Sequence, residues 1–195
     1  MDVEKLLNRV STDSGALPGV IMGEMAKQGR DKLTFIVSPG VAAFGDWVEQ
    51  LIAESTGKEG KGILPVVGEA AGAPDVYGDD RLFVHLRLKD DASQDDAVQA
   101  LIDAGQPVVR VHLDDKYDLG GQYFLWEMAT AVAGQRLGIN PFDQPNVESA
   151  KVLARSMIEV YQQEGKLPDV EGVVSADNAP GAVADFLAGA DTGAY

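Results

Sequence analysis

The sequence predicts an α/β fold in three layers, a mainly parallel sheet flanked by helices. Two observations carry that expectation. Short β-branched apolar runs alternate with stretches whose apolar residues recur at helical spacing. Glycine or proline marks most of the junctions between them.

Taken in order, Leu33-Thr34-Phe35-Ile36-Val37-Ser38 reads as a strand closed by Pro39-Gly40. Phe44, Trp47, Val48, Leu51 and Ile52 follow at i, i+3, i+4, i+7 and i+8, one face of a helix over about 41–54 that Gly57 and Gly60 end. Gly62 to Val67 is a second strand candidate, and Pro65 within it points to an edge. Gly68 to Asp80 reads as a loop. Leu82–Leu88 and Pro107–Leu113 are two more strands, separated by a helix over about 93–105. From Leu119 to Leu137 apolar residues lie almost all round the helical wheel, which predicts a helix covered on most sides. A turn at Gly138–Pro141 leads to a helix over about 145–163, with Val147, Ala150, Ala154, Met157, Ile158 and Tyr161 on one face. The end, 167–195, reads as loop and one short helix near Val183–Leu187. Sheets of this kind bind ligands at the carboxyl ends of their strands.

Composition restricts the partners. Acidic residues outnumber basic ones 31 to 16, a formal charge of −15. Such a field repels nucleic acid and anionic membrane, and an anionic metabolite too unless local donors override it. No apolar run approaches the roughly 18 residues that would cross a bilayer, and Met1–Lys5 lacks the basic start of a signal peptide. Cysteine is absent, which removes disulfides, thiolate metal sites and cysteine nucleophiles, and fits a cytoplasmic protein.

Two stretches carry more. Phe142-Asp143-Gln144-Pro145-Asn146-Val147-Glu148-Ser149-Ala150-Lys151 resembles the phosphoglucose isomerase signature Phe-Asp-Gln-x-Gly-Val-Glu-x-x-Lys, with Asn146 where the family has glycine. Glu54-Ser55-Thr56-Gly57-Lys58-Glu59-Gly60-Lys61-Gly62 is similar to that family's Glu-Ser-x-Gly-Lys-x-x-Lys-Gly run. Gly29–Thr34 and Gly134-Gln135-Arg136 resemble bacterial proteins in which transaldolase and phosphoglucose isomerase share one polypeptide. The resemblance implies one sugar-isomerase (SIS) domain over 1–195, a fragment of a larger glucose-6-phosphate isomerase truncated at its C-terminal end.

The resemblance also implies chemistry. Aldose and ketose phosphates interconvert through an enediol, and the family's base, a glutamate, falls on Glu54. The helix end expected there disfavours a carboxylate and strengthens it as a base. Lys151 falls on the lysine that the family places near the ring and C1 oxygens, and Gln144 stands at the same junction. Ser38 and Gly40, between a strand and a helix N-terminus, are candidates to bind an anion. The family's phosphate loop and ring-opening histidine have no counterpart here. His85 and His112 lie inside predicted strands as core or edge residues, and Asp114–Asp118 reads as a solvated strand-end loop rather than a metal site. No metal or cofactor is expected. The implied partners are a sugar-phosphate substrate, the other SIS half, a transaldolase domain of the same polypeptide and a second copy in a homodimer. The alternatives are a sugar-phosphate-binding regulatory module and a degenerate domain without catalysis. The isolated chain is expected to fold yet turn over little substrate.

Overall fold

The computed structural model describes residues 15–143, 145–168 and 173–189. Its elements run α1 (Ala16–Lys27), β1 (Lys32–Val37), a 3-10 turn (Pro39–Val41), α2 (Phe44–Thr56), β2 (Leu64–Val66), β3 (Arg81–Leu88), α3 (Asp95–Asp103) and β4 (Val108–Leu113). A 3-10 turn at Lys116–Asp118, α4 (Leu119–Leu137), α5 (Pro145–Glu164) and α6 (Ala179–Ala188) follow. The chain forms two compact units, Met1–Asn146 and Val147–Tyr195, and the sheet belongs to the first.

The sheet is parallel throughout, in the order β2-β1-β3-β4. The chain leaves β1 in one direction through α2 and leaves β3 in the other through α3. Right-handed crossovers running in opposite directions put these two helices on opposite faces. The packing agrees. Leu33, Phe35, Leu82, Val84, Leu86, Val109 and Val111 face a core shared with α1, α2 and α4. Ile36, Phe83 and Val108 face Val98 and Leu101 of α3. Three layers result, as the alternation of elements predicts. β1 is buried on both faces, which is why 33–37 reads as a nearly continuous apolar run interrupted by Thr34. β2 is an edge strand, as Pro65 implied.

One element escaped the sequence reading. α1 contains Pro18 and glycines, all poor helix formers, and its apolar face is weakly marked. Gly15, Gly19 and Gly23 recur at i, i+4 and i+8 for a packing reason. A Cβ on Gly15 would lie 2.3 Å from Leu125 O, one on Gly19 2.4 Å from Ala129 O, and one on Gly23 2.5 Å from Arg136 Cβ. α1 and α4 therefore meet almost backbone to backbone. α4 in turn sets Trp126 edge-on against Phe35, with ring centroids 5.0 Å apart. Its Tyr123 joins a cluster with Phe44 and Trp47 of α2.

Candidate functional site at the amino edge of the sheet

A crossover helix returns the chain to the edge where its strand began, so the last turn of α2 lies at the amino edge of the sheet. Glu54 stands in that turn, as its helix-end position predicted. Sheets of this kind are expected to bind ligands at the carboxyl ends of their strands, and this topology puts Glu54 at the opposite edge. Glu54 is exposed and has no hydrogen-bond or ion-pair partner among the described residues.

The chain beyond Glu54 is built tightly. Thr56, fully buried, donates its hydroxyl to Ile52 O at 2.8 Å and accepts the Ile63 N–H at 2.9 Å, closing the loop on the helix. Glu59 and Gly60 both take positive φ, 55° and 69°. That is the two-residue turn that reverses a hairpin, and Lys58 and Lys61 exchange backbone hydrogen bonds of 3.1 and 2.9 Å across it. Both lysines thereby reach the end of α4. Lys61 Nζ donates to Leu137 O at 3.0 Å, on the last residue of the helix. Gly138 stops the helix in the left-handed conformation, φ 69°.

Lys58 goes deeper. Its side chain is only 4% exposed, and Nζ donates to Asn140 O at 3.0 Å, to Asp143 O and to Asp143 Oδ1 at 3.2 Å. Three acceptors match its three donors, and a buried ammonium persists only when so satisfied. The two ammoniums also sit where the α4 dipole is negative. The two motifs, some 80 residues apart in sequence, are thus joined by Lys58. The sequence reading singled out Glu54 and passed over Lys58 and Lys61, although both stand in the quoted motif.

The remaining candidates lie elsewhere. Lys151 is an exposed residue of α5, in the second unit. Glu148, one turn before it, pairs with Arg155 at 3.6 Å. Gln144 falls outside the described residues. Ser38 and Gly40 are at the carboxyl edge. A strand of six residues spans about 20 Å, so they do not share one site with Glu54. Ser38 is buried and its Oγ accepts the Leu88 N–H at 3.0 Å. The larger cleft at that edge, about 830 Å³, is lined by Val37, Pro39, Val67 and Gln94 and has Asp46 and Glu69 as its charged groups. A phosphate dianion has no cation to meet there. Gly40 borders a smaller pocket with Lys89 and Lys116 but four aspartates, Asp90, Asp91, Asp114 and Asp115.

The face of the sheet beneath α3 carries the histidines. His85, 2% exposed, has Nδ1 without a protein partner. Burial pushes its imidazole down to about 4; Asp95 opposes the shift, and Arg110, Arg87 and His112 add to it. Arg87 holds Asp95 through two bonds of 2.7 and 2.8 Å and keeps that carboxyl below its ordinary range. His112 is exposed on the edge strand β4. Among the described residues no three His, Asp or Glu side chains are grouped to hold a metal. Asp115 and Asp118 instead cap the turn before α4, accepting from Tyr117 N and Asp114 N at 2.7 Å each.

No family model matches the chain. It is similar to curated glucose-6-phosphate isomerases, as the two motifs imply. That of Lactobacillus helveticus (strain DPC 4571) is 29% identical over 165 positions, covering 65% of this chain and 36% of the relative. That of Enterococcus faecalis is 28% identical over 151 positions, covering 58% and 34%. A probable glucose-6-phosphate isomerase of Natronomonas pharaonis is 31% identical over 152 positions, covering 59% and 35%. The chain thus spans about a third of the length of the curated relatives it matches. A crystal structure of a hypothetical protein from Thermus thermophilus shares the fold, with TM-score 0.58, 20% identity, and 73% of this chain and 44% of that one covered.

Proposed function

We propose that this chain supplies one α/β half of a sugar-phosphate isomerase that interconverts glucose 6-phosphate and fructose 6-phosphate. The observation that carries the proposal is the meeting of the two motifs at the amino edge, where Lys58 binds the loop that leads into Gln144. Nothing in a generic α/β domain requires those two segments to meet through a buried lysine.

In the proposed reaction the Glu54 carboxylate takes the C2 proton of the open aldose while O1 gains a proton, giving the enediol; Glu54 then returns its proton to C1 while O2 gives one up, leaving the ketose. The ammonium of Lys151 stabilises the oxygen that gains charge, and Gln144 supports it from the same junction. A base working in this way needs cover from water. Glu54 is exposed, which supports a half-site closed by another part of the enzyme. The other SIS half is the natural source of that cover and of the cationic phosphate donors that the lining of the larger carboxyl-edge cleft lacks. A transaldolase domain, a homodimeric assembly and a cytoplasmic setting complete the proposal.

The test is Glu54→Gln in the full-length protein, with fructose 6-phosphate consumption followed in a coupled assay. A general base contributes about 10²–10⁴ in rate, so kcat should fall roughly a hundredfold or more with KM near normal. Activity within a few-fold of wild type removes Glu54 from the role.

A further inference from the structure

We propose that the pocket between α3 and the strands β3 and β4 binds a small hydroxycarboxylate, its carboxylate on the Arg110 guanidinium and its hydroxyl against the His85 imidazole. The site lies away from Glu54 and is independent of the function proposed above. β3 and β4 pair with Phe83 opposite Val108, His85 opposite Arg110 and Arg87 opposite His112. Side chains alternate between faces along a strand, so all six lie on the face that α3 covers. Phe83 and Val108 pack on Val98 and Leu101 of α3. The next two pairs are polar, and there α3 presents Asp95, Asp96 and Gln99 instead of an apolar surface. A pocket of about 440 Å³ opens between them, a size within the range of small-molecule sites.

What the lining leaves unengaged defines the ligand. Arg87 is committed: its guanidinium bonds both oxygens of Asp95 and the carbonyls of Leu88 and Lys89. Arg110 is exposed, donates to Gln99 Oε1 at 3.2 Å, and pairs with no carboxylate among the described residues. An open guanidinium matches a planar carboxylate through two parallel bonds. His85 lines the same pocket, buried, with Nδ1 unpartnered. A buried polar atom left in that state is costly, and a patch kept only for solubility needs no imidazole beneath it. Burial holds that imidazole neutral, so it carries one donor and one acceptor nitrogen. A hydroxyl both donates and accepts, and therefore suits either tautomer. Asp96 on the rim has no basic partner among the described residues, and the chain as a whole carries −15. With one open guanidinium to hold it, a phosphate dianion is disfavoured in that field. A monoanion fits.

The chain has two histidines and both line the pocket, so the carbon-bound proton signals of their imidazoles report on it directly. The experiment titrates the whole chain with lactate at pH 7 and constant ionic strength, followed by NMR. Acetate and inorganic phosphate are parallel arms. Lactate should shift the His85 signal saturably, with a Kd on the order of 1 mM for a ligand of so few atoms. Acetate, which lacks the hydroxyl, should bind about fivefold more weakly or worse, and phosphate should also bind more weakly than lactate. Arg110→Gln should weaken lactate binding about tenfold or more, with the backbone amide spectrum otherwise preserved. If that variant does not fold, Arg110→Lys, which keeps the charge and loses the planar fork, takes its place with the same criterion. The proposal is overturned if lactate gives no saturable shift, if acetate or phosphate binds as tightly as lactate, or if the Arg110 variant binds lactate as the wild type does. The readout is binding rather than turnover, so failure of the isomerase reading leaves this test intact.

Discussion

Acidification provides a direct measure of how dry the sheet face beneath α3 is. His85 is held neutral, its folded pKa near 4 against about 6.5 for a free imidazole. The unfolded chain therefore binds a proton between those values that the folded chain refuses, so stability is complete above pH 6.5 and lost as the pH falls. Linkage gives a loss from this one residue of about 2 kcal/mol between pH 7 and pH 5, rising to about 3 kcal/mol at pH 4. The window from pH 6.5 to 5 isolates the effect, because carboxylates such as Asp95 and Glu24, depressed by their arginine partners, lose their contribution only at lower pH. The formal charge of −15 shrinks over the same range, which relieves self-repulsion and opposes the trend. Urea unfolding at pH 7, 6 and 5 should accordingly compare wild type with His85→Leu, which shares the charge background. The variant is expected to lose about 2 kcal/mol less than wild type over that interval. Parallel pH profiles would refute the buried neutral imidazole, as would a His85 imidazole NMR signal that titrates near 6.5.

Further outcomes follow from packing and hydrogen bonding, each read by urea unfolding. Lys58→Met leaves the Asn140 and Asp143 carbonyls without their donor and should cost about 2–4 kcal/mol; Asp143→Asn, at an exposed carboxylate, should cost under about 1 kcal/mol. A reversed order would mean that the ion pair, not the carbonyl contacts, holds the loop. Gly19→Ala drives a methyl to 2.4 Å from Ala129 O and should destabilise by about 2 kcal/mol or more; a neutral result would show that α1 and α4 are further apart than described. Thr130→Val removes a buried hydroxyl that has no protein partner and should raise stability by about 1 kcal/mol.

Most of the sheet layer is legible because its signals are local. β1 and β4 announce themselves by β-branched runs, β3 by a short apolar run of leucine, phenylalanine and valine, and α2 by a clean apolar stripe. α1 is illegible for a physical reason: the glycines that permit its contact with α4 are the residues that lower helix propensity, so the packing overrides the local preference. The location of Glu54 depended on topology. The motif shows that Glu54 ends a helix, but only the β1-α2-β2 crossover shows which edge of the sheet that end reaches. Lys58 could have been found from the sequence, because two lysines around a Glu-Gly turn in so acidic a chain invite the question of what they bind. Their partners, backbone carbonyls some 80 residues away, have no side-chain signature to reveal them.

The glycine seam between α1 and α4 has a consequence for synthesis. Ile21, Met22 and Met25 of α1 emerge from the ribosome long before Ala129 and Ala133 of α4, against which that helix closes. About 110 residues separate Gly19 from Ala129, an interval of roughly 5–20 s at cellular elongation rates. During that interval α1 has neither the helix propensity to form alone nor its closest partner. Although α1 is made before the strands and helices described here, it is among the last of them to settle.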